Sequence, residues 1–366
     1  MTRTYIIAEI GVNHNGSLAL AKQLVDEAIS AGVDAVKFQT FKAEHLVSKH
    51  APKAEYQLST TEKTESQLEM LKKLELTYDE FIELWQYCGA RHVDFLSTPF
   101  DMESLHFLTD AIPMPIIKVA SGEITNAPFL FASAATQRHI ILSTGMSTIA
   151  DIRRALGVIA CGYLGWHPAS EGQSHEDLLA KAYASAEGQR LLRERVTILH
   201  CTTEYPAPFN EINLHVIPAL ATEFALNVGY SDHTVGIEVP IAAVALGAKV
   251  IEKHFTLDKS MEGPDHRASL EPHELREMVR AIRNIESALG SSEKRITPAE
   301  AKNQAIARKS VVVAAPIRAG ELISEHHLII KRPGTGISPF FYWKLLGTVA
   351  KRDYQCDELI DSDQLS

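Results

Sequence analysis

The chain has 366 residues, 45% of them apolar, and a net charge of −10 from 36 Lys and Arg against 46 Asp and Glu. With no block of basic residues, that balance argues against nucleic acid or an anionic membrane as a partner. The apolar runs are too short for a signal-peptide core or a transmembrane helix, and Cys88, Cys161, Cys201 and Cys356 lack CxxC spacing, which fits a reduced, cytoplasmic protein rather than a zinc ribbon or a disulfide scaffold.

Eight short apolar segments, at 5–11, 34–39, 93–97, 116–120, 140–144, 196–201, 227–231 and 249–255, each lead into a polar or charged cluster. Between them the apolar residues recur at helical spacing, first over 17–32, where Leu18, Ala21, Leu24, Val25 and Ala28 share a face and Gly32 supplies the stop. Similar patterns follow at 78–91, 101–110, 148–159, 214–224 and 238–246. Strand and helix alternating eight times predict a (β/α)8 barrel over residues 1–285. Two stretches break the rhythm. The connection at 42–77 is expected to fold over the barrel mouth, and the polar insertion at 160–195 to carry extra helix on the far side from the chemistry.

A helical pattern over 271–289 closes the barrel. The polar stretch 286–307, interrupted by Pro298, is expected to be a linker. Residues 308–366 form a small β-rich unit with short strands at 310–314, 328–331 and 347–350. A unit of about 60 residues buries little core and is marginal alone.

In such a barrel the carboxyl ends of all eight strands converge on one face, so polar residues there are candidates for chemistry. Here those ends carry Glu9, Lys37 with Gln39, Thr98, Lys118 with Ser121 and Glu123, Ser143, Thr203 with Tyr205, Ser231 with His233, and Glu252 with His254. A single histidine is usually a hydrogen-bonded structural group. Two on adjacent strand ends can hold a divalent transition metal and leave positions open for substrate. Without a cysteine or a third nearby histidine, manganese fits better than zinc. Lys37 and Lys118 emerge within apolar strands and must find a counter-charge or shed a proton. Either one forms a Schiff base, as in an aldolase, or both clamp phosphate and carboxylate; the hydroxyls of Ser121, Ser143 and Ser231 favour the clamp. Glu9, Glu123 and Asp265 supply carboxylates for proton transfer, with the roles of acid and base left open.

The stretches AEIGVNHNGS, AVKFQTFKAE, APKAEYQ, FLSTPFD, IKVASGE, ILSTGM, LHCTTEYPAPF, YSDHT, EKHFTLDKSMEGPDH and KRPGTGISP, in this order, resemble the bacterial sialic acid synthase family. The last lies in a region that resembles the antifreeze-like (SAF) domain of those enzymes. The resemblance implies a metal-dependent condensation of phosphoenolpyruvate with N-acetylmannosamine, giving N-acetylneuraminate and phosphate. Its alternative is the same chemistry on 2,4-diacetamido-2,4,6-trideoxymannose, giving legionaminate or a related nonulosonate. It also implies that His233 and His254 hold the metal, Mn2+ with Mg2+ or Co2+ as alternatives. Lys37, Lys118, Ser121, Ser143 and Ser231 would hold phosphoenolpyruvate, with Thr98 and Thr203 in the same substrate-binding set. Glu9, Gln39, Glu123, Tyr205 and Asp265 would face sugar and intermediate. Arg332 of KRPG would reach from the SAF domain into the partner subunit's barrel, making a domain-swapped homodimer.

Overall fold

The structure, a computed structural model, describes residues 3–54, 61, 65–167 and 174–366. The eight apolar segments form β1 (Tyr5–Gly11), β2 (Ala35–Thr40), β3 (Asp94–Pro99), β4 (Ile116–Val119), β5 (His139–Ser143), β6 (Val196–His200), β7 (Asn227–Asp232) and β8 (Val250–His254). They pair in parallel in the order β3-β2-β1-β8-β7-β6-β5-β4, and β3 packs beside β4 to close the ring without a ladder among the described residues. The result is the (β/α)8 barrel expected from the alternation. Its helices obey local signals. In the helix Leu18–Ala31, Ser17 accepts from the Leu20 N–H, Gly32 closes the end in the left-handed region at φ 85°, and Ala21, Leu24, Val25 and Ala28 are buried.

Because successive side chains alternate across a strand, every second residue points into the barrel. One inward layer is apolar: Ile7, Ala35, Leu96, Ile141, Leu199 and Val250 form a buried cluster distinct from the larger core under the helices. Two residues further along the same strands stand Glu9, Lys37, Thr98, Ser143 and Glu252. The lower layer is tight at β7, where a Cβ on Gly229 would come within 2.5 Å of the Val250 carbonyl oxygen; glycine there lets the ring close. A packed apolar plug thus carries a polar layer above it, at the carboxyl ends of the strands.

The chain divides into two compact units, Met1–Gly290 and Ser291–Ser366. In the first, the connection after β2 contains the helix Gln67–Leu74, and the insertion before β6 contains the helices His175–Ala184 and Ala186–Arg195, which pack on the helix Ile149–Leu164. Part of APKAEYQ, and residues 168–173 of the insertion, lie outside the described residues. In the second unit β9 (Ser310–Val313) pairs antiparallel with β10 (Leu328–Lys331), around a small core that includes Val311, Val313, Ile323, Leu345 and Tyr354.

Several local expectations differ from the structure: the helix expected over 148–159 runs on to Leu164, burying Ala160 to Tyr163 of the supposed polar insertion, and the helix Ala127–Ala135 is not among those expected. Residues 347–350 form no strand; Val349 makes only an isolated bridge to Leu322. The stretch 286–307 is not plain linker, since it holds the end of the helix Pro272–Leu289 and all of the helix Pro298–Ala307. Pro298 starts that second helix rather than breaking it, because a first-turn residue needs no N–H partner, and Thr297 and Glu300 form a capping box around it.

Candidate active site

The polar layer opens into a cavity lined by Glu9, Lys37, Gln39, Thr98, Lys118, Ser121, Ser143, Thr203, Tyr205, Ser231, His233, Glu252, His254 and Asp265, together with apolar residues. Lys37 and Lys118 are buried at its floor, each 3% exposed. Lys37 is ion-paired with Glu9, lies 3.7 Å from Glu252 Oε2 and donates to Thr98 Oγ1 at 3.1 Å. Lys118 donates to Ser143 Oγ at 2.8 Å and sits 3.5 Å from Glu252 Oε1. Glu252 therefore lies between the two ammonium groups, and its Oε1 also accepts from Ser231 Oγ at 2.7 Å.

The charges set one another. Burial alone would raise Glu252, but Lys118 and Lys37 outweigh it and hold the carboxyl down to about 2. Burial works against the charge of Lys37, yet Glu252 and Glu9 keep its ammonium form favoured, with the pKa raised. Lys118, with less compensation, is lowered by burial. Glu9 is raised by burial despite Lys37. Asp265 is pushed up to about 7 by burial and by the nearby charge of Glu9. The two lysines are thus pushed in opposite directions, and of the three carboxyl groups Glu252 is held down while Glu9 and Asp265 are raised.

His233 and His254 stand above that floor with ring centroids 5.6 Å apart, and Tyr205 packs 4.2 Å from the first and 5.5 Å from the second. The carbonyl of Thr202 lies 2.6 Å from His233 Nδ1 and fixes that ring; its Nε2 has only a 3.4 Å contact with the Ser231 hydroxyl. His254 Nδ1 is buried with no hydrogen-bond partner, 3.7 Å from Asp265 Oδ2. Burial lowers both imidazoles, His254 far below its ordinary value with His233 adding to the effect. Neutral rings with an uncommitted nitrogen are the donor set of an open transition-metal site. Among the described residues no cluster of three or more His, Cys, Asp or Glu side chains is arranged for a metal, so the candidate ligands are these two rings alone.

Behind the histidines lies a second, wholly buried ion pair. Lys253 Nζ donates to Asp232 Oδ2 at 2.5 Å and to the Thr234 carbonyl, and Asp232 also accepts from the Thr234 N–H and the Tyr230 hydroxyl. Asp232 precedes His233 and Lys253 precedes His254, so the pair ties together the two strand ends that present the rings.

One of the expected residues stands elsewhere. Glu123 does not line the cavity; the 3-10 turn Ser121–Glu123 keeps Ser121 at the wall and carries Glu123 outward, where it accepts from Asn126 Nδ2 at 2.6 Å. Arg332 belongs to the second unit, where it is exposed and its Nε–H donates to the Ala307 carbonyl at 3.1 Å. Conversely, Glu252, placed at a strand end by the sequence but given no role there, links both lysines. Strand alternation marks it: it is two residues before His254 on β8, hence on the same inward face.

The NeuB family model matches residues 24–294 and the SAF domain model residues 308–366. The chain is 48% identical to the N,N'-diacetyllegionaminic acid synthase of Campylobacter jejuni over 98% of its own length and 99% of that protein. It is 43% identical to the N,N'-diacetyllegionaminic acid synthase of Legionella pneumophila over 94% of its length and 89% of that protein. The crystal structure of the N-acetylneuraminic acid (sialic acid) synthetase of Leptospira borgpetersenii superposes with a TM-score of 0.66 at 30% identity, covering 82% of this chain and 90% of the other. With these matches, and the barrel that carries the polar layer, the chain belongs to the NeuB family and ends in a SAF domain.

Proposed function

We propose that this protein is an N,N'-diacetyllegionaminic acid synthase, condensing phosphoenolpyruvate with open-chain 2,4-diacetamido-2,4,6-trideoxymannose. The observation that carries the reaction class is the pair of buried, neutral imidazoles directly above a floor of two lysines. The choice of sugar follows the relatives: the two named for diacetyllegionaminic acid are 48% and 43% identical, against 30% for the sialic acid synthetase. They favour the alternative over the leading expectation of N-acetylneuraminate synthesis.

In this reading Lys37, Lys118 and the hydroxyls of Thr98, Ser121, Ser143, Thr203 and Ser231 bind the phosphate and carboxylate of phosphoenolpyruvate. His233 and His254 would hold a divalent cation, manganese before magnesium or cobalt, which supplies Lewis-acid polarisation of the sugar aldehyde. C3 of phosphoenolpyruvate attacks the aldehyde carbon, and Asp265, with its pKa near 7, gives a proton to the former aldehyde oxygen. Water adds at C2 and gives one proton to Glu9; the C2–O bond to phosphate then breaks as the remaining hydroxyl proton passes to the departing phosphate, leaving the 2-keto group. Gln39 donates to Glu9 Oε1 at 3.0 Å and orients that carboxylate, while Tyr205 packs on the imidazoles beside the sugar. No Schiff base is needed: Lys37 stays an ammonium group between Glu9 and Glu252.

The deciding experiment measures phosphate release from phosphoenolpyruvate with Mn2+. A larger kcat/KM with 2,4-diacetamido-2,4,6-trideoxymannose than with N-acetylmannosamine is expected; the reverse order returns the assignment to N-acetylneuraminate. Borohydride trapping with pyruvate is expected to give no adduct, and an adduct on Lys37 or Lys118 would make the protein a Schiff-base aldolase.

We further propose a domain-swapped homodimer in which the exposed Arg332 completes the partner subunit's sugar site. A charge-assisted contact of this kind contributes roughly 1.5–3 kcal/mol, so Arg332→Ala is expected to raise the sugar KM at least about 10-fold and to leave the phosphoenolpyruvate KM in place. Mixing Arg332→Ala with His254→Ala subunits should restore part of the activity, because one barrel in a mixed dimer then has both residues. An unchanged sugar KM, or no restoration, counts against the swap.

A further inference from the structure

The cavity differs in chemistry from floor to roof. Its floor is the charged layer around Lys37, Lys118 and Glu252, and its roof is apolar: Met70, Leu71 and Leu74, from the helix Gln67–Leu74, line the same cavity as Val12 and Phe100. The roof is a built structure. Val12, Phe41, Ala43 and Leu74 form a buried cluster separate from both barrel cores, with Leu71 and Phe100 packed against it. Ser66 and Glu69 form a capping box at the start of the helix. Near its other end, Gly16 lies so close to the Lys73 carbonyl that a Cβ would come within 2.4 Å, so the loop after β1 is seated directly against the helix. Met70 is 3% exposed and Leu71 half-buried, and neither side chain offers a strong hydrogen-bond donor or acceptor.

The orientation of the sugar follows from which atoms must be where. The anion floor takes phosphoenolpyruvate, and the imidazole pair sets the aldehyde carbon beside it. In that placement the rest of an open-chain aldose would run away from the floor, with the carbon furthest from the aldehyde towards the roof. A hydroxymethyl or phosphorylated end placed there gives up hydrogen bonds to water and receives none in return, whereas a methyl end gives up none. We infer that Met70 and Leu71 are specificity-determining residues that read the C6 end of the sugar, selecting a 6-deoxy substrate over 6-hydroxy and 6-phosphorylated ones. The inference rests on the proposed function and deepens it, because it assigns the 6-deoxy part of the preference to one face of the cavity.

An apolar wall rejects an added hydroxyl by roughly 100-fold at most. The test therefore compares two sugars that differ only at C6, 6-deoxy-N-acetylmannosamine and N-acetylmannosamine, in steady-state phosphate release with Mn2+. The wild type is expected to favour the 6-deoxy sugar by about 10-fold or more in kcat/KM. Leu71→Gln and Met70→Gln are expected to bring that ratio towards one, through KM of the 6-deoxy sugar, while the volume-conserving Met70→Leu keeps it. Thermal unfolding identifies any variant that has lost its fold, and Leu71, being half-buried, is the safer of the two. If the wild type treats the two C6 forms alike, or if folded glutamine variants keep its ratio, the inference is overturned. The proposed function is judged separately by the diacetamido sugar: a wild type that prefers N-acetylmannosamine to it removes that reading and this inference with it.

Discussion

His254→Ala is expected to lower kcat/KM by about three orders of magnitude, the several kcal/mol that a Lewis acid contributes at a carbonyl, and to leave the protein folded. The reason lies in an asymmetry of the site. His254 lines the cavity and its Nδ1 makes no hydrogen bond although it is buried, so its removal breaks no side-chain hydrogen bond at that atom and costs only ring packing on Tyr205 and His233. His233→Ala is expected to cost a similar factor in turnover and somewhat more in stability, because that ring is fastened to the Thr202 carbonyl. Chelation by EDTA should reproduce the loss in the wild type, with Mn2+ restoring activity to the wild type only. Calorimetric titration with Mn2+ gives a readout independent of turnover: binding to the wild type, and none to either variant. A folded His254→Ala protein with unchanged kcat/KM and unchanged Mn2+ affinity would remove both imidazoles from the mechanism.

The largest effect on stability is expected from Lys253→Met. Lys253 and Asp232 are both fully buried, and a buried pair that loses one partner leaves an uncompensated charge, at a cost of about 3–5 kcal/mol. The double variant Lys253→Met with Asp232→Asn removes both charges. Asparagine can still accept from the Thr234 N–H and hydroxyl, which now bond Asp232 at 3.0 and 2.9 Å. The double variant is therefore expected to recover at least about 2 kcal/mol of the loss, as neutral replacement of a buried pair usually does. Urea unfolding measures both. Mn2+ affinity supplies a second readout, expected to fall about 10–100-fold in Lys253→Met, because the pair holds the residues that precede His233 and His254. A single variant as stable as the wild type, or a double variant less stable than the single, would contradict this account.

The Lys253–Asp232 pair also shows how far local reading reaches. Both residues are plain in the sequence, adjacent to the candidate histidines, yet each looks like a charge at the end of a strand, ready for solvent. Only the register that sets Asp232 beside Lys253 turns them into partners. Glu252 is a parallel case. Alternation from His254 places it inward, but its position between Lys37 and Lys118 depends on three strands from different parts of the ring. Glu123 shows the opposite limit: it shares a motif with Ser121, and a single short turn separates their directions.

The eight barrel strands were legible from local pattern alone, with ends within about two residues, and so were most of the residues at the mouth, whereas the helix Ala127–Ala135 and the run of the helix Ile149–Leu164 beyond residue 159 were not. The legible features rest on interactions between near neighbours: the two-residue alternation of a strand, the turn-by-turn spacing of a helix, and caps such as Ser17 and Gly32. Which of the gathered groups meet depends on contacts between distant parts of the chain. Strand tilt and stagger around a closed ring, together with the roof helix Gln67–Leu74, set distances between residues far apart in the chain. Those distances make Glu252 the link between two lysines, leave His254 Nδ1 without a partner, and place an apolar ceiling over a charged floor.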